Sequence, residues 1–135
     1  MRKKERRHRR GETITQALEY QLAACCEAGR IEAMVLADGD GLPLASSGDT
    51  YACDEVAARM VLVGSRIKEF NGTLLGSGHR WDVQMMKVAF EGEDLLVCAV
   101  GGSADARRRQ IQRGAAGAVR ILAPSGALDH AAAHA

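Results

Sequence analysis

No stretch of this chain approaches the roughly 18 to 20 uninterrupted apolar residues of a membrane span, and its charged start is followed by no apolar signal core. The expectation is a cytoplasmic protein. The four cysteines, Cys25, Cys26, Cys53 and Cys98, lack both paired metal-ligand spacing and the density of a disulfide scaffold. Three of them fall in apolar runs, so they read as buried reduced thiols. A nucleophile pair would require Cys53 or Cys98 to meet His79 in space. Nucleotide fingerprints are missing too. "VGGSADARRR" sets glycines where a strand hands over to a helix, but neither Gly-Lys-Ser/Thr nor Gly-x-Gly-x-x-Gly is present, and Ser103 reads as an N-cap. No Ser/His/Asp ordering, paired-carboxylate cleft or Cys-x-x-Cys emerges. The residues therefore point to no enzyme, no cofactor and no catalytic or metal site.

What is present suits one domain. The 135 residues are 47% hydrophobic and 26% charged, enough to bury a sizeable core. The total charge of +1 conceals an asymmetry: "MRKKERRHRR" holds seven Lys or Arg against one Glu, so the arm is +6 and the remainder −5. A like-charge block of this kind reads as a disordered arm, residues 1–12. Through Arg2, Lys3, Lys4, Arg6, Arg7, Arg9 and Arg10 it offers the one route to nucleic acid or an anionic membrane. It lacks the interleaved aromatics and amphipathic face of specific single-strand binding or interfacial insertion. Residues 13–123 form the domain, and an Ala/His-rich tail, 124–135, follows as a flexible segment. His130 and His134 stand four apart there, too few ligands for a structural metal site.

"ADGDGLPLASSGD" is the most informative short stretch. Counted from Asp38, a calcium loop needs a third Asp or Asn at its fifth position, Gly at its sixth and Glu at its twelfth. This chain has Leu42, Pro43 and Asp49 there. A turn uses every residue instead: Met34 to Ala37 as an apolar strand, Asp38 to Gly41 as the reversal, and a return strand beginning at Leu42 and Pro43.

Ile14, Leu18, Leu22 and Cys25 recur at helical intervals after the capping-box spacing of Thr13 and Gln16, with Gly29 as a stop. A second helix is expected over 54–70, with Val56, Met60, Val63, Ile67 and Phe70 on its core stripe. Strands are expected at 73–79 and at "WDVQMMKVAFE" and "DLLVCAV", the last two joined by a Gly92-Glu93 turn. "LLVCAV" is apolar throughout, as in a strand covered on both faces. A final helix sets Ile111, Ala115, Ala118 and Leu122 inward, Arg107, Arg108, Arg109 and Arg113 toward water, and Pro124 just past its end. The order is α-β-β-α-β-β-β-α.

That order, with the "LADGDGLPLASSGD" hairpin, the "AARMVLVG" helix and the "LLVCAVGG" strand, resembles the Roadblock family, dynein-light-chain-like domains also found in bacteria beside small Ras-like GTPases. The resemblance spans about 13–122 and implies an α+β fold of the Roadblock, longin and profilin type, a five-stranded antiparallel sheet with helices on both faces. It also implies a homodimer whose second helices lie side by side and whose middle strands pair. Such a dimer would serve as a non-enzymatic regulator or scaffold for a small Ras-like GTPase, with a GTPase-activating or localising role. On this reading the second helix offers Glu55, Arg59, Leu62, Arg66 and Glu69 to the GTPase, while Val61, Thr73, Leu74 and Leu75 form the dimer interface. Two other readings remain open: an adaptor working through the basic arm, distinguished by a steep salt dependence, and a small-ligand sensor, which would need a ligand-sized cavity.

Overall fold

The computed structural model has the element order α1 (Arg2–Gly29), β1 (Ala33–Asp38), β2 (Pro43–Gly48), α2 (Thr50–Gly64), β3 (Glu69–Gly76), β4 (His79–Phe90), β5 (Glu93–Val100) and α3 (Ala104–His134). The structure describes the backbone of residues 2–76 and 78–134 and the side chains of residues 12–76 and 78–123. The sheet is antiparallel throughout, ordered β2-β1-β5-β4-β3, which puts β5 at its centre between β1 and β4, and β2 and β3 on its edges.

Centrality explains the apolar runs. In β5, Leu96, Cys98 and Val100 face α2, while Leu95, Val97 and Ala99 face α1 and α3. β1 divides the same way, Ala33, Val35 and Ala37 to one side and Met34 and Leu36 to the other. Two cores result. One packs Val56, Ala57 and Met60 of α2 on the sheet. The other packs Leu18, Leu22 and Cys25 of α1 with Ile111, Ala115 and Ala118 of α3. Fully burying each aliphatic chain contributes about 1.5–3 kcal/mol, an upper figure because unfolded chains already bury some surface.

The Asp38 hairpin is a turn. The Asp38 carboxylate accepts the amides of Asp40 (2.9 Å) and Leu42 (3.0 Å), and Gly41 takes φ 84°. Its oxygen is thereby committed to the backbone. Pro43 opens β2 on an edge of the sheet, where its missing N–H is tolerated.

Several boundaries differ from the sequence expectation. α1 starts before Thr13, so Thr13 and Gln16 lie inside the helix rather than capping it. Its C-terminal end is a Schellman-type closure in which the amide of Ile31 donates to Cys26 O (2.9 Å) and Arg30 adopts φ 52°. α2 begins earlier than residue 54, because the Asp49 side chain accepts the Tyr51 amide at 2.9 Å and acts as N-cap. It ends before residue 70. Ser65 Oγ donates to Leu62 O (2.7 Å), the amides of Arg66 and Ile67 donate to Val63 O, and Lys87 Nζ donates to Gly64 O (2.6 Å). Ile67 is therefore exposed, and Phe70 reaches the same core from β3. The last hairpin turns at Glu91 (φ 49°) and Gly92 (φ 81°), both left-handed as a primed two-residue turn requires, one residue earlier than expected. α3 runs past Pro124. Readings placed on the side chains of 1–11 and 124–135, including the basic arm, His130 and His134, lie outside the described residues.

Candidate functional site

Free backbone marks one side of the molecule. The amide of Lys87 donates to Lys68 O at 2.7 Å, which makes these opposed residues a hydrogen-bonded pair. Antiparallel pairs alternate, so Phe70, Gly72, Leu74 and Gly76 bond to β4, while Glu69, Asn71, Thr73 and Leu75 turn their N–H and C=O outward. Among the described residues no strand covers that edge. Its side chains also divide. Phe70 and Leu74 pack inward beside α2, and Leu75 projects from the opposite face at 68% exposure.

α2 lies over β1, β2 and β5 and reaches the β3 edge by its outer flank. Cys53, Val56, Ala57, Met60 and Gly64 are buried beneath it, and Gly64 permits the close approach: a Cβ there would come within 2.9 Å of Leu96 Cδ2. Glu55, Arg59 and Leu62 follow at i, i+4 and i+7 on one stripe. Arg59 pairs with Glu55 at 3.0 Å and sends Nη1 to the carbonyl of Leu75 at 2.5 Å, which orients the stripe toward β3. Leu62 is 73% exposed, the most open large apolar side chain of the helix. A cluster of rings lies at the helix's first turn. Tyr51 is tilted over His79 and Trp81, with centroids 5.5 and 5.9 Å away, and His79 stacks on Trp81 at 5.1 Å and 10°. Trp81 is buried and Tyr51 half-exposed.

This geometry sorts the residues expected at the interfaces. Glu55, Arg59 and Leu62 share a face. Arg66 lies in the turn beyond α2, and Glu69 belongs to β3, because the helix ends at Gly64. Val61 is not beside Thr73, Leu74 and Leu75. It packs on the opposite flank of α2, under the first hairpin, where a Cβ on Gly41 would meet Val61 Cβ at 3.0 Å. Leu74 is turned into the core. Thr73 bonds across the ladder to Asp82 Oδ1 at 3.1 Å, so of the four only Thr73 and Leu75 present outward backbone on the free edge. The sequence reading passed over Tyr51 and weighed His79 only as a partner for a thiol; the alternation of His79 and Trp81 at the start of a strand was the available signal.

The thiols are occupied elsewhere. Cys53 Sγ donates to the carbonyls of Met34 (3.5 Å) and Ser47 (3.7 Å), while His79 is engaged with Trp81, so no thiol–imidazole pair forms between them. Burial pushes the Cys53 thiol up to about 11, and it raises Cys25, Cys26 and Cys98 as well, which disfavours the thiolate a nucleophile or metal ligand needs. Among the described residues no three His, Cys, Asp or Glu side chains converge on a metal position, and no helix is long and apolar enough to cross a membrane. The described cavity between α3 and β4 is about 50 Å³, lined by Glu69, Gln84 and Arg108 among others, room for water rather than for a small-molecule ligand.

Arg107 corrects a further expectation. It is 5% exposed rather than on the wet face of α3, and its Nη1 donates to Gly101 O (2.9 Å) and Gly102 O (2.8 Å).

No family model and no curated protein matches this chain. Solved structures do. A chain described as MglB with a tetrameric arrangement aligns over 80% of this chain and 89% of its own, at TM-score 0.59 and 17% identity. The gliding protein MglB of Thermus thermophilus aligns over 80% and 90%, at TM-score 0.58 and 16% identity. Myxococcus xanthus MglB aligns over 82% and 90%, at TM-score 0.53 and 13% identity. The likeness is one of fold, and the fold is of the Roadblock type: α-β-β-α-β-β-β-α around a five-stranded antiparallel sheet.

Proposed function

We propose that this chain is a homodimeric, non-enzymatic regulator or scaffold for a small Ras-like GTPase. The observation that carries the reading is the conjunction of the free β3 edge with the outward stripe of α2: Leu62 is 73% exposed on one side of that edge and Leu75 68% exposed on the other. An uncovered edge is an invitation to strand pairing. A second copy added there extends the sheet and brings two α2 helices onto the same side. Their outer faces, each with Leu62 and Tyr51, then form one surface wider than either protomer presents.

Such a platform regulates by preferring one switch conformation of the GTPase and shifting its population by the difference in affinity. The chemistry belongs to the GTPase. The resemblance of the hairpin and strand motifs to Roadblock domains, together with the shared fold, supports that partner class.

The test uses the full chain as bait in its native lysate, with GDP and with a non-hydrolysable GTP analogue, and mass spectrometry of what is retained. A small Ras-like GTPase enriched in one nucleotide state is the expected result. Leu62→Asp should reduce capture about 30-fold, the equivalent of roughly 2 kcal/mol for a buried anchor, with melting temperature unchanged. Absence of any such GTPase in both states, or wild-type capture by the folded variant, overturns the reading.

A further inference from the structure

We propose that the Glu55–Arg59 pair sets the register in which two copies of this chain join, by closing the Leu75 end of the β3 edge and centring the pairing on Asn71. The proposal rests on the dimer reading above and specifies its geometry.

Four residues of β3 turn their backbone outward: Glu69, Asn71, Thr73 and Leu75. The carbonyl of Leu75 is already taken by Arg59 Nη1, and Arg59 is held in turn by Glu55, through Nε at 3.1 Å and Nη2 at 3.0 Å. A strand reaching Leu75 would have to share that carbonyl with a charged donor and pass the Arg59 side chain that covers it. What remains open is Glu69, Asn71 and Thr73, and this set is complementary to itself. Two such edges, antiparallel about a two-fold axis at Asn71, set Glu69 against Thr73 of the other copy and Asn71 against its counterpart. Every outward N–H and C=O of the three then finds a partner.

Side chains favour the same alignment. On the α2 face Phe70 falls opposite Gly72 of the second copy. The ring of Phe70 lies over its own Gly72, where a Cβ would be 2.8 Å from Cζ, so the glycine makes the room that each ring occupies beside the axis. Sliding by two residues, so that Asn71 opposes Thr73, puts Phe70 against Leu74 and requires the carbonyl of Leu75. That self-complementarity points to a second copy as the occupant.

Cysteine cross-linking reads the register. Hydrogen-bonded partners lie about 5.5 Å apart between Cα atoms, inside the range a disulfide spans, whereas a two-residue slip adds roughly 6.8 Å along the strand and takes them outside it. The full chain carrying Asn71→Cys should form a covalent homodimer under mild oxidation at least tenfold faster than one carrying Thr73→Cys, over the background of the native thiols. Adding Arg59→Ala frees Leu75. The Asn71→Cys homodimer should then diminish, and mixed dimers of Asn71→Cys with Thr73→Cys should rise. Light scattering on the uncross-linked proteins separates the two levels of the argument. A monomeric mass at micromolar concentration overturns the dimer reading and the register with it. A dimeric mass with Thr73→Cys cross-linking as fast as Asn71→Cys, or with a pattern insensitive to Arg59→Ala, overturns the register alone.

Discussion

Replacing Arg107 tests whether a buried guanidinium stabilises this fold or burdens it. Arg107 is 5% exposed, two of its hydrogen bonds go to Gly101 O and Gly102 O, and its Nε is buried without a partner among the described residues. Charge-assisted bonds contribute about 1.5–3 kcal/mol each, so the favourable side is roughly 3–6 kcal/mol. Against it stand the desolvation of a cation, several kcal/mol, and the first turn of α3, where the helix dipole disfavours positive charge by about 0.5 kcal/mol. Those sums nearly cancel, and the side chain's remaining contribution is to tie down two glycines at φ 83° and 65° between β5 and α3. Arg107→Met keeps much of the stem's packing and removes the ties together with the charge. It is expected to cost about 1–2 kcal/mol, and Arg107→Ala, which also opens a cavity, about 3 kcal/mol. The assay is urea unfolding at constant m-value, backed by a melting-temperature fall of roughly 5 °C for the Met variant. A Met variant as stable as wild type, or more so, would show that the burden of the charge exceeds the ties and that Arg107 does not staple the turn.

Three further outcomes are expected. Asp38→Ala removes the acceptor of the Asp40 and Leu42 amides and should cost about 1–2 kcal/mol, with Asp38→Asn milder; a loss of stability that calcium restores would mean the carboxylate served an ion instead. Cys53 keeps its proton in the folded state up to about 11 against 9.0 in the unfolded chain, so its contribution is present below pH 9 and is lost as pH rises toward 11. Stability should fall over that window, more steeply in wild type than in Cys53→Ala, and equal slopes would refute the assignment. Leu62→Asp should leave urea unfolding within about 0.5 kcal/mol of wild type, since the side chain is 73% exposed; a larger loss would mean that Leu62 is covered, by the protomer's core or by the second copy, and light scattering of the variant separates the two.

The parts of the fold legible in the sequence are those fixed by local chemistry. Six consecutive apolar residues between turn signals in β5 read as a strand covered on both faces, and Asp-Gly-Asp-Gly between apolar runs reads as a chain reversal. Periodicity misplaced the end of α2 for a definite reason. Met60, Val63, Ile67 and Phe70 keep helical spacing in sequence, but Phe70 reaches the core from a strand whose alternate positions happen to continue the rhythm. The end of the helix is closed by Ser65 and, from a place distant in sequence, by Lys87 on the carbonyl of Gly64. Arg107 was misjudged similarly: a run of arginines resembles a wet helix face, and only the adjoining glycine turn supplies carbonyls that let one of them turn inward.

The candidate site was legible as a helix stripe but not as a place. Val61 and Leu62 are neighbours in sequence, about 100° apart on the wheel, and periodicity shows that both lie off the core stripe. It does not show which of them faces the open edge of the sheet. That depends on the strand order, in which β2 and β3 lie at opposite ends, and on which way the helix crosses it. One contact fixes the orientation. Arg59 reaches the carbonyl of Leu75, so the flank of Glu55, Arg59 and Leu62 turns toward β3, and Val61, on the other flank, closes against Gly41 beneath the first hairpin. A long, flexible side chain bonded to a backbone oxygen carries no sequence signature at either end. It nevertheless decides that Leu62, rather than Val61, stands where a second copy and a partner would meet.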